Sequence, residues 1–173
     1  MASAAMQPYE DAVIRLAEVP GFGPDSAQQT IAEVGAQAMS FDSAARLASW
    51  AGLCPGRQES AEHNHNSRSP KGNKFLRRIL TQAAQAAVKK KGSHFQIAFQ
   101  RWLPRLGYQA ALWAIAHKLA RLVWKILHDQ VHYSERGQQS DPGVQRRRAN
   151  KMVQALRKMG YKVEISSLSP QPA

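Results

Sequence analysis

Residues 19–24 read Val-Pro-Gly-Phe-Gly-Pro, and no regular helix or strand passes through such a segment. Proline lacks the amide a helix interior or sheet ladder needs, and glycine leaves the backbone free to turn where other residues cannot. On either side the apolar residues fall at helical spacing: Ala12, Val13, Leu16 and Ala17 before it, Ala27 and Ile31 after it. The expectation is a helix over residues 9–18, a tight turn, and a second helix that starts at Pro24 and ends at Gly35.

The stretch from Leu16 to Ala27 resembles the helix-hairpin-helix motif of non-specific DNA-binding proteins. Gly21 and Gly23 let the turn aim backbone amides at a phosphate beside the positive N-terminus of the second helix. Two features depart from that picture: Asp25 would repel phosphate, and Thr30 stands where an apolar residue is usual. A plain tight turn between packed helices is the other reading.

Further along, Phe41 and Asp42 act as staple and N-cap for a third helix over residues 43–50, closed by Gly52-Leu53-Cys54-Pro55. Residues 56–70 are a polar loop of Gly, Ser, Asn and His. An amphipathic helix follows over residues 71–91, with Phe75, Leu76, Ile79, Leu80, Ala83 and Ala87 along one side. A short helix over residues 95–102 and a long one over 109–132 complete the body, the latter with a seam at Leu112, Ile115, Leu119, Leu122 and Ile126. The seam reads as a buried face, with a dimer interface as the alternative. Beyond it lie a basic helix over 144–159, a short strand over 161–165 and a tail over 166–173; residues 1–8 and the tail are expected to be disordered. The fold class is therefore mainly α, a helical bundle beginning with a helix-hairpin-helix-like unit and ending in a short strand. Residues 9–136 form its body and 137–165 a basic appendage.

Charge narrows the partners. In 173 residues, 24 Lys and Arg face 12 Asp and Glu, a formal +12, and such a surface attracts polyanions, nucleic acid first. No export signal and no apolar run of membrane length is visible, so the chain is expected to be cytoplasmic, with no membrane partner. Cys54, the one cysteine, reads as a small buried hydrophobe. His128 and His132 stand four apart without a third ligand, and no metal site is expected in this chain.

Taken together, the hairpin Val19-Pro-Gly-Phe-Gly-Pro24, the block Phe-Asp-Ser-Ala-Ala-Arg-Leu-Ala-Ser-Trp-Ala-Gly-Leu-Cys-Pro at 41–55, a serine loop, and Lys-Gly-Asn-Lys-Phe-Leu-Arg-Arg-Ile-Leu at 71–80 resemble one family in order and spacing. It is the C-terminal transposase domain of the insertion-sequence transposases guided by a bridge RNA. The resemblance is close over residues 17–87 and looser over 156–165. It implies a two-part recombinase in which an N-terminal RuvC-like domain supplies a DEDD carboxylate site for Mg²⁺ and the C-terminal domain a serine that attacks a DNA phosphate.

The position matching that serine is Ser60, followed by Ala61 where the family usually has glycine. A serine hydroxyl needs help with its proton and cations to hold charge on phosphorus. Arg57, Arg68 and Lys71 are plausible neighbours. Asn73, Arg77 and Arg78, at the loop exit and first helical turns, are placed to contact phosphate. His63, His65, Ser67 and Ser69 share the loop without an assigned role. Only about sixteen residues precede the hairpin, too few for a DEDD domain. The chain is expected to be inactive alone, needing that domain upstream or in trans, with DNA, a guide RNA and further copies of itself as partners. The alternative is a stand-alone or remnant protein that binds nucleic acid without catalysis.

Overall fold

The computed structural model describes residues 9–54, 71–135 and 142–164. Among them the chain is a helical bundle: α1 Glu10–Ala17, α2 Pro24–Val34, α3 Ala44–Trp50, α4 Lys74–Ala87, α5 His94–His128 and α6 Pro142–Lys158. It divides into two compact units, Met1–Gln138 and Gln139–Ala173.

In the first unit α4 and α5 share the most extensive contact, and α1 and α3 also pack on α5. The reason is in the side chains. Leu76, Leu80, Ala83, Ala84 and Ala87 of α4 face Ile115, Ala116, Leu119 and Ala120 on the buried side of α5. Alanines at those positions let the helix axes approach, while each buried leucine contributes roughly 1.5–3 kcal/mol by leaving water. The seam on α5 thus lies in the chain's own core, with Ile115 and Leu119 fully buried, rather than on a face open to a second copy.

α5 combines two expected helices. Pro104 lies within it, and at Gly107 the backbone leaves helical geometry (φ 75°, ψ 169°), so the two runs join at a kink. It ends at His128, not 132, because Gln130 takes a positive φ of 53° and turns the chain back. The N-cap of α3 is Ser43 rather than Asp42: its hydroxyl accepts from the Arg46 amide at 3.3 Å, while Phe41 packs its ring 5.2 Å from that of Trp50. Thr30 is fully buried and gives its hydroxyl to the Ser26 carbonyl at 2.7 Å, which makes a polar residue acceptable at an apolar position.

The returning segment after α5 is clasped by carboxylates. Glu18 Oε1 lies 2.7 Å from His132 Nδ1 and Oε2 accepts from the Tyr133 amide at 3.0 Å. These hydrogen bonds hold the Glu18 carboxyl below its usual range. Glu135 accepts from the His94 amide and from the Tyr133 hydroxyl, each at 3.0 Å.

In the second unit, α6 carries basic residues and no acid from Pro142 to Lys158. It ends in a Schellman motif: Gly160 has φ 89°, its amide reaches the Arg157 carbonyl, and the Tyr161 amide reaches that of Leu156 at 3.1 Å. Residues 161–164 form no strand. A strand must pair with a neighbour, and the described residues contain none. Residue 165, the expected termini and the loop 56–70 lie outside the described residues.

Candidate functional site

The described residues on either side of segment 55–70 meet at a narrow neck. Its incoming side is the end of α3, closed by a Schellman motif in which Gly52 has φ 70° and the Leu53 amide donates to the Ala48 carbonyl at 3.0 Å. Its outgoing side is Gly72. A methyl group placed on Gly72 would lie 2.4 Å from the Gly52 nitrogen and 2.6 Å from the Ala51 carbonyl carbon, so only glycine admits this approach of the two chain segments.

The next residues lock the neck. The Asn73 amide donates to the Trp50 carbonyl at 2.9 Å. Asn73 Oδ1 caps α4, accepting from the Phe75 and Leu76 amides at 2.9 Å each, and its Nδ2 donates to Glu33 Oε2 at 2.6 Å. Arg77 Nε donates to the Ala51 carbonyl at 3.1 Å, with its guanidinium 5.7 Å from the Trp113 ring. α2, α3, α4 and α5 therefore all bear on the two ends of one segment.

Of the residues expected at the site, Lys71, Asn73, Arg77 and Arg78 gather at this mouth. Asn73 and Arg77 are both engaged in holding it, whereas Lys71 and Arg78 are exposed, as is Lys74. None of these three cations pairs with a carboxylate among the described residues. Their position is electrostatically unusual. A helix N-terminus is already positive, and cations there disfavour the helix unless an anion is present. The first turn of α4 carries no acid. Ser60, Arg57 and Arg68 lie outside the described residues.

Gly21 and Gly23 sit elsewhere. Gly21 has the positive φ expected of it, 92°, but a methyl there would meet the Ala83 carbonyl oxygen at 2.1 Å and the Ala87 nitrogen at 2.8 Å. Its smallness seats the hairpin on α4, ten residues or about 15 Å of helix from the neck. Gly23 is the N-cap of α2; its amide donates to Ser26 Oγ at 2.8 Å, and that hydroxyl donates to the Gly23 carbonyl at 2.9 Å. The Phe22 amide is likewise used within the turn, by the Val19 carbonyl at 3.0 Å.

His128 and His132 part company, the first pairing with Asp129 at 2.9 Å and stacking on Trp124, the second pairing with Glu18. The described residues hold no group of three or more His, Cys, Asp or Glu that could bind a metal ion, and no described helix is long and apolar enough to cross a membrane. Sequence reasoning missed the cations Lys118, Arg121 and Lys125, whose signal was a recurrence at steps of three and four beside the apolar seam.

The family model described as transposase IS116/IS110/IS902 family matches residues 14–100, half of the chain. That span runs from within α1 through the hairpin and neck into α5. The "Insertion element IS116 uncharacterized 44.8 kDa protein" of Streptomyces clavuligerus is 29% identical over 113 residues, which is 65% of this chain and 28% of that protein. The chain thus spans between a quarter and a third of the length of this curated relative.

Proposed function

Because the chain belongs to the IS116/IS110/IS902 family of transposases, we propose that it acts in DNA strand transfer as the serine-bearing part of such an enzyme, with Ser60 as nucleophile. The observation that carries this reading is the neck, which brings Lys71, Lys74 and Arg78, cations that pair with no carboxylate among the described residues, to the mouth of the segment that contains Ser60.

In this reading a DNA phosphate rests on the neck cations and the N-terminus of α4. Ser60 Oγ forms a bond to phosphorus as the bond to the neighbouring nucleotide breaks; the serine proton passes to a base, and the departing oxygen takes one up. Charge builds on the phosphoryl oxygens during this step, and fixed cations stabilise it. Mg²⁺ would ease the deprotonation of the serine. No cluster among the described residues fits it; in this reading this chain's own part is the serine and the cations, and four carboxylates of a RuvC-like domain, upstream or in another chain, would hold the ion. A guide RNA and additional copies of the chain complete the partners of this reading.

The test is Ser60→Ala, assayed with the carboxylate domain supplied. We expect the covalent protein–DNA product and strand transfer to disappear while DNA affinity stays within about threefold, since one hydroxyl adds little to a phosphate-driven affinity. A covalent product undiminished in the variant overturns the assignment. Binding without any Ser60-dependent reaction, in wild type as in variant, supports the non-catalytic nucleic-acid-binding reading instead.

A further inference from the structure

A second cationic surface lies on α5, beyond the residues that match the family model. Lys118, Arg121 and Lys125 rise about 10 Å along the helix and border a groove of about 670 Å³. Its apolar lining comes from Phe95, Leu122, Trp124 and Ile126, and the returning segment contributes Val131 and Tyr133. Among the described residues no Asp or Glu lines it, Glu18 and Glu135 at its edge being engaged with His132, Tyr133 and His94, and none of the three cations pairs with a carboxylate among the described residues. Lys118 is half-buried, with its ammonium 3.2 Å from His94 Nε2 and 5.2 Å from the centre of the Trp102 ring. Burial, and then Arg101, push its pKa down. A bound anion would relieve both effects.

The chemistry of the lining selects among polyanions. A duplex presents phosphates outward and keeps its bases paired inside, so it can use the cations but not the apolar lining. An unpaired strand offers both a base face and a phosphate at each nucleotide. We propose that this groove binds a single-stranded segment of nucleic acid, with bases against the apolar lining and phosphodiesters on Lys118, Arg121 and Lys125. The proposal rests on the reading above in taking nucleic acid as the ligand, and adds a site separate from the neck. From Trp113, beside the neck's Arg77, to Arg121 is about 12 Å along the helix.

The experiment is fluorescence anisotropy of the full chain with ten-nucleotide thymidine and uridine strands and a ten-base-pair duplex, over a range of salt. The variant K118Q/R121Q/K125Q should bind the single strands at least tenfold more weakly, with a salt slope smaller by about 2, near 0.7 per lost phosphate contact. Ala44 lines the groove, so Ala44→Trp, which fills it without changing charge, should weaken single strands and spare the duplex. K89Q/K90Q/K91Q, which removes the same charge elsewhere, should stay within threefold. If the triple groove variant fails to fold, R121Q/K125Q and Ala44→Trp carry the test. The thymidine and uridine arms identify DNA or RNA as the source of the strand. An unaffected Ala44→Trp variant, or a lysine control as weak as the groove variant, overturns the proposal. Wild type that binds no oligonucleotide at low salt overturns the DNA reading as well, whereas loss confined to K71Q/K74Q/R78Q overturns the groove alone.

Discussion

Gly21→Ala separates two roles for the hairpin. The added methyl would sit 2.1 Å from the Ala83 carbonyl oxygen and 2.8 Å from the Ala87 nitrogen. Both are backbone atoms of α4, so no side-chain rotation relieves the overlap, and the hairpin and α4 must part by more than about 1 Å to regain ordinary contact. The positive φ adds about 1–2 kcal/mol of strain for any residue with a Cβ, and forcing packed elements apart adds roughly 1–3 kcal/mol. The expected loss is about 2–5 kcal/mol, a large part of the 5–15 kcal/mol typical of a whole domain. With a urea dependence of about 1–3 kcal/mol per molar, the midpoint should fall by about 1–2 M. Gly23→Ala is the internal control. It has no atom within 4 Å of the added methyl and an ordinary φ of −113°, so its effect should stay below about 1 kcal/mol. Equal midpoints for the two variants would refute the packing argument. A stable Gly21→Ala protein with weakened DNA binding would instead support the phosphate-contacting role expected of Gly21.

Gly72→Ala should wedge the neck open, because its methyl would meet the Gly52 nitrogen at 2.4 Å; a loss of about 1–3 kcal/mol in urea melts is expected, with strand transfer falling more than DNA affinity. Asn73→Ala removes two capping bonds and the link to Glu33 and should cost about 1–3 kcal/mol by the same measurement. Thr30→Val keeps the buried volume and removes the hydroxyl that donates to the Ser26 carbonyl, so unfolding in urea should show a stability change of less than about 1 kcal/mol. Glu18 is held below its usual 4.5 by His132 and the Tyr133 amide; a lowered carboxyl stabilises the fold above its usual value and loses that contribution as pH falls through the lowered one. Glu18→Gln should therefore lower the melting temperature at pH 7, with the gap from wild type closing below pH 4.5, and a gap independent of pH would contradict the clasp.

Local chemistry made much of the fold readable. Pro20, Gly21, Gly23 and Pro24 announced the hairpin, and the spacing of Leu76, Leu80 and Ala83 announced the buried side of α4. Where a choice was balanced locally, tertiary contacts decided it. Ser43 caps α3 while Phe41 lends its carbonyl to the Trp124 indole at 2.8 Å, a contact across 83 residues that no local pattern contains. The strand expected over residues 161–165 has the right alternation, but residues 161–164 find no strand to pair with among the described residues. At the neck, the basic residues were visible in sequence, yet the contact of Gly72 with Gly52, and the use of Asn73 and Arg77 to hold it, depend on segments distant along the chain. The groove is similar: its cations can be read from α5, but its other side exists only because Gln130 reverses the backbone.

The closure at Gly52 and Gly72 also bears on changes of length in the residues between Cys54 and Lys71. With both ends tied to the bundle, the entropy of joining them grows by only about 0.6 kcal/mol when the length of a flexible connection doubles. Lengthening the chain between Gly52 and Gly72 should therefore cost the helices little in melting temperature.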